Sequence, residues 1–242
     1  SPYKANQMPL TFFLKFFQNH GLFKIKNRPQ WYTVTNRSKT YVNKVLESVS
    51  GEYYKNYLIN KIIRHSNGVK IYYGDKNEYF DYDKVVLATH ADEALSLIEN
   101  PTDDEKKILS NFQYKKNLAV IHSDEKFMPT NKKTWSSWNS LIDYNNLENN
   151  SVTYWLNLLQ NLKINQNIFL TLNPFLNISE DKVFKRVNFT HPYYDQNTLL
   201  NQRQLSTIQN KKNILFCGSY FGYGFHEDGI KSSIEMLNSI ND

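Results

Sequence analysis

Residues 215–237 read LFCGSYFGYGFHEDGIKSSIEML. Three glycines (Gly218, Gly222, Gly224) precede His226-Glu227-Asp228, and Gly229 follows in front of a helical pattern. Such residues could do three kinds of chemistry. The first is metal binding. His226 and Asp228 stand two apart, as do His90 and Asp92, but both pairs fall in turns, and no HExxH, CxxC or His-rich cluster supports them. No metal is expected. The second is acyl hydrolysis. A nucleophile elbow needs GxSxG on a strand-to-helix turn, and here Ser219 follows Gly218 directly, one residue too early. His191 and His226 have no nucleophile to serve, and Cys217 sits inside an apolar strand. The third is a cradle. A strand, a glycine-containing loop and a helix N-terminus present backbone N–H groups and a helix dipole to electron-rich oxygens. A glycine-rich surface loop capped by Asp228 has the same spacing, and spacing alone leaves both readings open.

The elements that must position these residues follow from periodicity. Residues 10–20 read as an apolar helix with Gly21 as its stop, and 39–49 place Tyr41, Val42, Val45, Leu46 and Val49 at helical spacing. Residues 56–82 read as short strands with a hairpin at Asn67-Gly68. Val85-Val86-Leu87-Ala88 is continuously apolar, the pattern of a strand buried on both faces of a parallel sheet. A helix follows at once, and a second over 102–110 carries Asp103, Asp104 and Glu105 at its positive end. Strands return in NLAVIHS, TWSSWNS, SVTYWLN and NIFLTLN, a plausible antiparallel sheet carrying Trp135, Trp138, Tyr154 and Trp155. Residues 196–206 read as a helix, 213–217 as a short buried strand, and 229–240 as a helix with Ile230, Ile234, Leu237 and Ile240 on one face. Two strand-to-helix junctions, at Ala88 and Gly218, therefore flank an antiparallel block, the organisation of an α/β domain interrupted by a substrate-type sheet.

Composition narrows the function classes. The chain has 242 residues, enough to bury a core, and is 15% aromatic. Its net charge of +6 is scattered through short lysine pairs, so no basic face for nucleic acid is expected. A weak attraction to an anionic lipid surface remains compatible with it. The lone Cys217 rules out an intrachain disulfide and favours a cytoplasmic setting. No apolar run approaches the roughly 18 residues of a spanning helix.

The blocks GSYFGYGFHEDGIKSS, RPQWYTV, VVLATHADEAL, SVTYWLNLLQNL, LTLNP and THPYYD, taken in place along the chain, closely resemble the FAD-dependent oxidoreductases described as predicted NAD/FAD-binding proteins, relatives of the flavin-containing amine oxidases. The resemblance runs through essentially all 242 residues but matches only the C-terminal part of that family. Its members begin with a βαβ unit carrying GxGxxG, which is found nowhere in this chain.

The implied fold is an α/β, Rossmann-like FAD/NAD(P)-binding domain without its N-terminal βαβ, holding an inserted antiparallel substrate domain. The implied division is 1–35 on the substrate side, 36–100 in the FAD domain, 101–200 as the substrate sheet, and 201–242 completing the FAD domain. The resemblance puts Ile59 against the adenine. It puts Ala88, Thr89 and His90 near the dinucleotide, and Gly218 and Ser219 by the ribityl chain. Phe225, His226, Glu227, Asp228 and Gly229 fall beside the flavin ring, with the Asp228 and Gly229 N–H groups expected at its pyrimidine edge. Relatives carry two glycines where Asn36 and Arg37 stand here, ahead of Ser38.

The activity this implies is hydride transfer to FAD from an apolar substrate, oxidised or desaturated, with a lipid acyl chain as the favoured class. Trp31, Trp138, Tyr154, Trp155 and Tyr223 are the candidate pocket aromatics, and no catalytic side chain is assigned. The missing N-terminal segment of the same protein is the implied partner, and the implied location is cytoplasmic, peripheral to the inner face of the membrane. The alternative is a fragment or degenerate relative that binds lipid or protein without redox chemistry.

Overall fold

The computed structural model describes residues 8–75, 78–147 and 149–240. Along the chain come α1 (Leu10–Asn19), α2 (Ser38–Glu47), β1 (Ile59–His65), β2 (Gly68–Tyr73), β3 (Glu78–Tyr82), β4 (Val85–Leu87), α3 (Ala91–Leu97) and α4 (Asp103–Leu109). Then follow β5 (Gln113–His122), β6 (Trp138–Ile142), β7 (Asn150–Trp155), α5 (Leu156–Leu159), β8 (Phe169–Leu172) and β9 (Val183–Tyr193). The chain closes with α6 (Gln196–Gln202), β10 (Ile214–Phe216) and α7 (His226–Asn238). Among the described residues no helix is long and apolar enough to cross a membrane.

The chain divides into two compact units. One covers 114–191 and the other 8–113 with 192–240. The boundaries differ from the division implied by resemblance: 8–35, α4 and 192–200 group with the second unit. Residues 1–7 and 241–242 of the expected spans lie outside the described residues.

In the second unit, β1, β2 and β3 form an antiparallel meander. His65 pairs with Gly68, so the turn falls on Ser66-Asn67 and Gly68 opens β2 rather than occupying the turn. Its missing side chain is needed for packing, because a Cβ there would lie 2.3 Å from the Tyr82 carbonyl oxygen. The meander is tied to the following helices by Ile62, which bridges Ile98. It is tied also by Arg64, whose guanidinium bonds the buried Glu105 carboxylate. Glu105 closes the capping box of α4 as well, accepting from Thr102 N–H at 2.8 Å.

β4 and β10 form a parallel pair in the register Ile214↔Val85, Leu215↔Val86, Phe216↔Leu87. The apolar run 85–88 was expected to be buried on both faces. Val85 and Leu87 are buried, but Val86 is 41% exposed, because among the described residues the sheet has two strands and nothing covers that side. The α7 stripe behaves likewise. Ser232 and Met236 turn inward, while Ile230, Ile234 and Leu237 are 57%, 59% and 54% exposed. Helix α7 also starts three residues before the expected 229, since the Asp228 carboxylate accepts the Phe225 N–H at 2.9 Å and closes the first turn over His226-Glu227-Asp228.

The first unit is a five-stranded sheet in the order β6-β7-β8-β5-β9, with β6–β7, β7–β8 and β8–β5 antiparallel. β9, eleven residues long, had no separate counterpart in the sequence reading. One face of this sheet is covered by Phe127 and Ile178, which pack with Val120, Leu118, Leu141 and Val183. That face also carries a buried polar row. Asp124 N–H donates to His122 Nδ1 at 3.0 Å, which leaves Nε2 to donate to Thr171 Oγ1 at 2.7 Å, and Thr171 Oγ1 lies 2.8 Å from Thr153 Oγ1.

Candidate functional site

The parallel register sets the C-terminal ends of β4 and β10 side by side. Cys217 N–H donates to the Leu87 carbonyl at 3.1 Å, so the 88–90 and 217–219 turns leave the sheet together. In open α/β sheets ligands bind outside the carboxyl ends of the strands, where neighbouring connections diverge. Gly218 sits at that point with φ 152°. A Cβ on it would lie 2.8 Å from the buried Tyr220 ring and 3.5 Å from the Thr89 carbonyl oxygen. Glycine is thus what lets both turns close. Gly218 N–H is held by Ser232 Oγ at 2.9 Å, and that hydroxyl donates to the Gly229 carbonyl at 2.7 Å, so one α7 serine fixes the turn against the helix.

The α7 N-terminus stands beside this turn, as its contact with the 219–221 turn and the 3.8 Å from an added Gly229 Cβ to the Ser219 nitrogen show. Gly229 has no other heavy atom in reach, so its missing side chain keeps the first helical turn open. Its N–H, expected to point outward, instead donates to the Phe225 carbonyl at 3.2 Å. The outward donors of an α-helix are those of its first turn, here His226, Glu227 and Asp228. The Asp228 carboxylate is packed against Gly222, where a Cβ would lie 2.2 Å from Oδ1. Its side chain therefore serves the loop and the cap. The His226 side chain is engaged too, with Nδ1 2.6 Å from the Tyr41 hydroxyl of α2.

Aromatic rings gather around this helix start. Phe225 stacks on Phe16 (5.7 Å between centroids) and meets His20 (5.4 Å), and His20 stacks on Trp31 (5.9 Å). Tyr223 meets Phe12 at 4.7 Å, and burial together with the Asp228 charge holds its phenol above the ordinary value. The structure thus brings Trp31 into one cluster with Phe225, and Tyr223 against α1. Ala88, Thr89 and His90 lie at the β4 end, next to Gly218 and Ser219. Ile59 opens β1 opposite Tyr73, three residues before the Ile62–Ile98 bridge.

Trp138, Tyr154 and Trp155 belong to the other unit. Register places Trp138, Tyr154, Leu170 and Ile121 in one row across β6, β7, β8 and β5. The next row is Ser140, Val152, Leu172 and Ala119. These two rows carry no charge, Trp138 is exposed, and burial raises the Tyr154 phenol. Trp155 points to the opposite face, edge-on to Trp135 at 5.2 Å, and donates Nε1–H to Asn167. Adjacent strand residues alternate faces, so Tyr154 and Trp155 do not share a wall.

Sequence reasoning missed Tyr41, Phe16, His20 and Ser232, whose partners lie as far as 185 residues away. One signal was legible. The resemblance implies a glycine pair where Asn36 and Arg37 stand, and the backbone there has glycine-like angles, φ 60° and φ 70°. At ψ −176° Arg37 occupies a region that is essentially glycine's alone. Among the described residues no group of three His, Cys, Asp or Glu side chains could hold a metal.

No protein-family model matches the chain, and no curated protein does. Solved structures do. A CLA-producing fatty acid isomerase from P. acnes aligns over 84% of this chain and 51% of its own, at 12% identity and TM-score 0.56. Putrescine oxidase bound to putrescine aligns over 86% and 53%, at 8% identity and TM-score 0.57. A protein assigned as a protoporphyrinogen oxidase from Exiguobacterium sp. 255-15 aligns over 95% and 57%, at 12% identity and TM-score 0.55. The chain shares their mixed α/β fold. It spans about half the length of these structures.

Proposed function

We propose that the chain is the ring-facing and substrate-facing part of an FAD-dependent oxidoreductase of the amine-oxidase kind, acting on an apolar substrate of the lipid acyl class. The observation that carries this reading is the convergence of the β4 and β10 ends on the open first turn of α7. The donor set fits the ring end of a flavin. The first-turn N–H groups, which lie outside the intrahelical ladder, the uncovered backbone at Gly229 and the aromatic cluster of Phe225, Phe16, His20 and Trp31 suit a flat ring with a polar edge. No GxGxxG accompanies them for the phosphate end.

In this reading the α7 donors hold the pyrimidine edge, where negative charge gathers on reduction. Gly218 and Ser219 meet the ribityl chain, and Ala88, Thr89, His90 and Ile59 line the path of the dinucleotide. A bound flavin would supply the redox chemistry, as acceptor of the hydride. The aromatic cluster of Phe225, Phe16, His20 and Trp31 would orient the ring. The uncharged rows through Trp138 and Tyr154 support an apolar substrate. Such a substrate, with the lone cysteine, favours a cytoplasmic protein working at the inner membrane face.

The second reading, a non-catalytic lipid- or protein-binding module, is favoured by the exposed Arg37 side chain where relatives have glycine. Absorbance separates the two. The full-length protein, purified and supplied with FAD, is expected to retain a shifted flavin spectrum and to bleach anaerobically with acyl lipids, whereas these 242 residues alone are expected to be inactive. Retained flavin that no lipid bleaches removes the substrate class, and failure to retain flavin with the whole domain present removes the enzyme reading.

A further inference from the structure

Helices α1, α6 and α7 leave a groove on the far side of α7 from its aliphatic stripe. The main cavity, of about 530 Å³, lies between these helices and the 221–223 turn. A second, of about 430 Å³, adjoins it between α1 and α6, and Thr11 and Leu199 line both. Volumes of this size hold small organic molecules. Helical spacing makes the groove. From α6 and its C-cap come Gln196, Leu199, Leu200 and Arg203, at i, i+3, i+4 and i+7. From α7 come Asp228, Lys231, Ser232 and Glu235 at the same spacing. This face of α7 is opposite to Ile230, Ile234 and Leu237, so the two surfaces serve different ends.

The groove pairs apolar walls with unbalanced charge. Phe12 is buried, stacks on Tyr194 at 4.6 Å and meets Tyr223 at 4.7 Å, and Phe221, Leu199 and Leu200 extend the apolar lining. Both carboxylates of the lining are engaged. Asp228 accepts the Phe225 N–H at 2.9 Å, and Glu235 pairs with Lys231 at 3.8 Å. Two cations are not. Among the described residues, neither Lys15 in the larger cavity nor Arg203 in the smaller forms an ion pair. Thr11, one turn before Lys15, brings a hydroxyl donor to the larger cavity, and so does the Tyr223 phenol, which burial and the Asp228 charge keep protonated.

We propose that this groove binds an amphiphilic carboxylate, a small acid whose negative charge meets Lys15 and whose apolar body lies over Phe12 and Leu199 toward Leu200. Cations without partners, beside carboxylates that already have theirs, favour an acid over an amine. A bare inorganic anion would leave the apolar walls in water, and a neutral amphiphile would gain nothing from Lys15. The site touches the α7 cap only through Asp228 and Gly222, and the open first turn lies outside it. The inference goes beyond the oxidoreductase reading and does not rest on it.

The test is calorimetric titration of the full-length protein with decanoate, phenylbutyrate, decanol and inorganic phosphate. Thr11→Trp places a ring where the two cavities meet, so the binding it removes is the share of the groove. Thr11 and Lys15 are exposed, and variants at either are expected to keep the far-UV circular dichroism of the parent. Thr11→Trp is expected to remove carboxylate binding. For that share, decanol and phosphate are expected to bind about tenfold more weakly than the acids. Lys15→Glu is expected to weaken the acids by about tenfold, and Lys15→Arg to keep them. Decanoate alone in the groove names an acyl body, phenylbutyrate alone an aryl one, and either supports the proposal. The proposal is overturned if neither acid binds, or if Thr11→Trp removes no carboxylate binding. It is equally overturned if the share of the groove takes decanol or phosphate as tightly as the acids, or if Lys15→Glu leaves that share unchanged. Carboxylate binding that fits these expectations in a protein that retains no flavin leaves this inference standing and removes the cofactor reading.

Discussion

The five-stranded sheet of 114–191 and the parallel pair β4–β10 both hide apolar strands, and they reach different degrees of completion. In the sheet, the covered face is closed from within the unit by Phe127 and Ile178, and its polar atoms satisfy one another through His122, Thr171 and Thr153. In the parallel pair, Val86 and the α7 stripe remain outside. The difference follows from connectivity. Antiparallel neighbours can be joined by short turns, so β6, β7 and β8 recruit their partners from nearby sequence. Parallel neighbours need a crossover of a dozen residues or more. β4 and β10 are separated in the chain by the whole antiparallel unit.

The comparison predicts that the two units fail separately. Glu105→Ala removes the carboxylate that pairs the nearly buried Arg64 and caps α4. It should cost about 3–5 kcal/mol, since it strands a charge. In a Trp31→Phe background, Trp135, Trp138 and Trp155 report the antiparallel unit by fluorescence, and their urea midpoint should stay in place while hydrogen exchange in β1 and α4 rises. If both transitions move together, the units unfold as one and the contrast fails.

The antiparallel unit has its own weakness, toward acid. Burial pushes the His122 imidazole down to about 4, against the weaker upward pull of Asp124. The folded state keeps His122 neutral while the unfolded chain takes up a proton below about 6.5. Stability is therefore full above that value and is lost as pH falls toward 4, by up to about 3 kcal/mol. Asp124 acts in the same direction. Burial pushes its carboxyl up, but the Lys126 N–H and the Lys126 and Lys182 ammonium groups outweigh this and hold it below its usual range. The tryptophan urea midpoint between pH 7 and pH 4 is the measurement, and a flat profile would break the assignment.

Smaller effects sharpen the contrast at the junction. Gly218→Ala drives a Cβ into the Tyr220 ring and should cost about 1–3 kcal/mol. The loss should appear in the exchange of β10 and α7, leaving the signal of Trp135, Trp138 and Trp155 unchanged in the Trp31→Phe background. Arg37→Gly should stabilise by about 1 kcal/mol by releasing a conformation that only glycine holds freely. A melting temperature that falls instead would show that the Arg37 side chain gives back more than its backbone strain costs.

Much of this was legible in the residues. The apolar runs marked β4, β5, β7, β8 and β10, and Asp103-Asp104-Glu105 marked the start of α4. The start of α7 was misplaced because Gly229 looked like a boundary, whereas the Asp228 bond to Phe225 extends the helix to His226. The turn at Asn67-Gly68 was one residue off because the close approach of Tyr82 sets the place of Gly68, which the dipeptide alone does not reveal.

By itself the sequence marked most of the strands and helices, β9 and α5 excepted, because apolar period and caps are local properties. For the Gly218–Gly229 loop, spacing left a cradle and a capped surface loop both open, and only the resemblance implied that backbone would meet a cofactor there. Only the tertiary structure decided that Trp138, Tyr154, Leu170 and Ile121 form one row, that His226 is held by Tyr41, and that the α7 aliphatic stripe points outward. Those outcomes depend on register and on contacts between residues far apart in the chain, which periodicity does not encode.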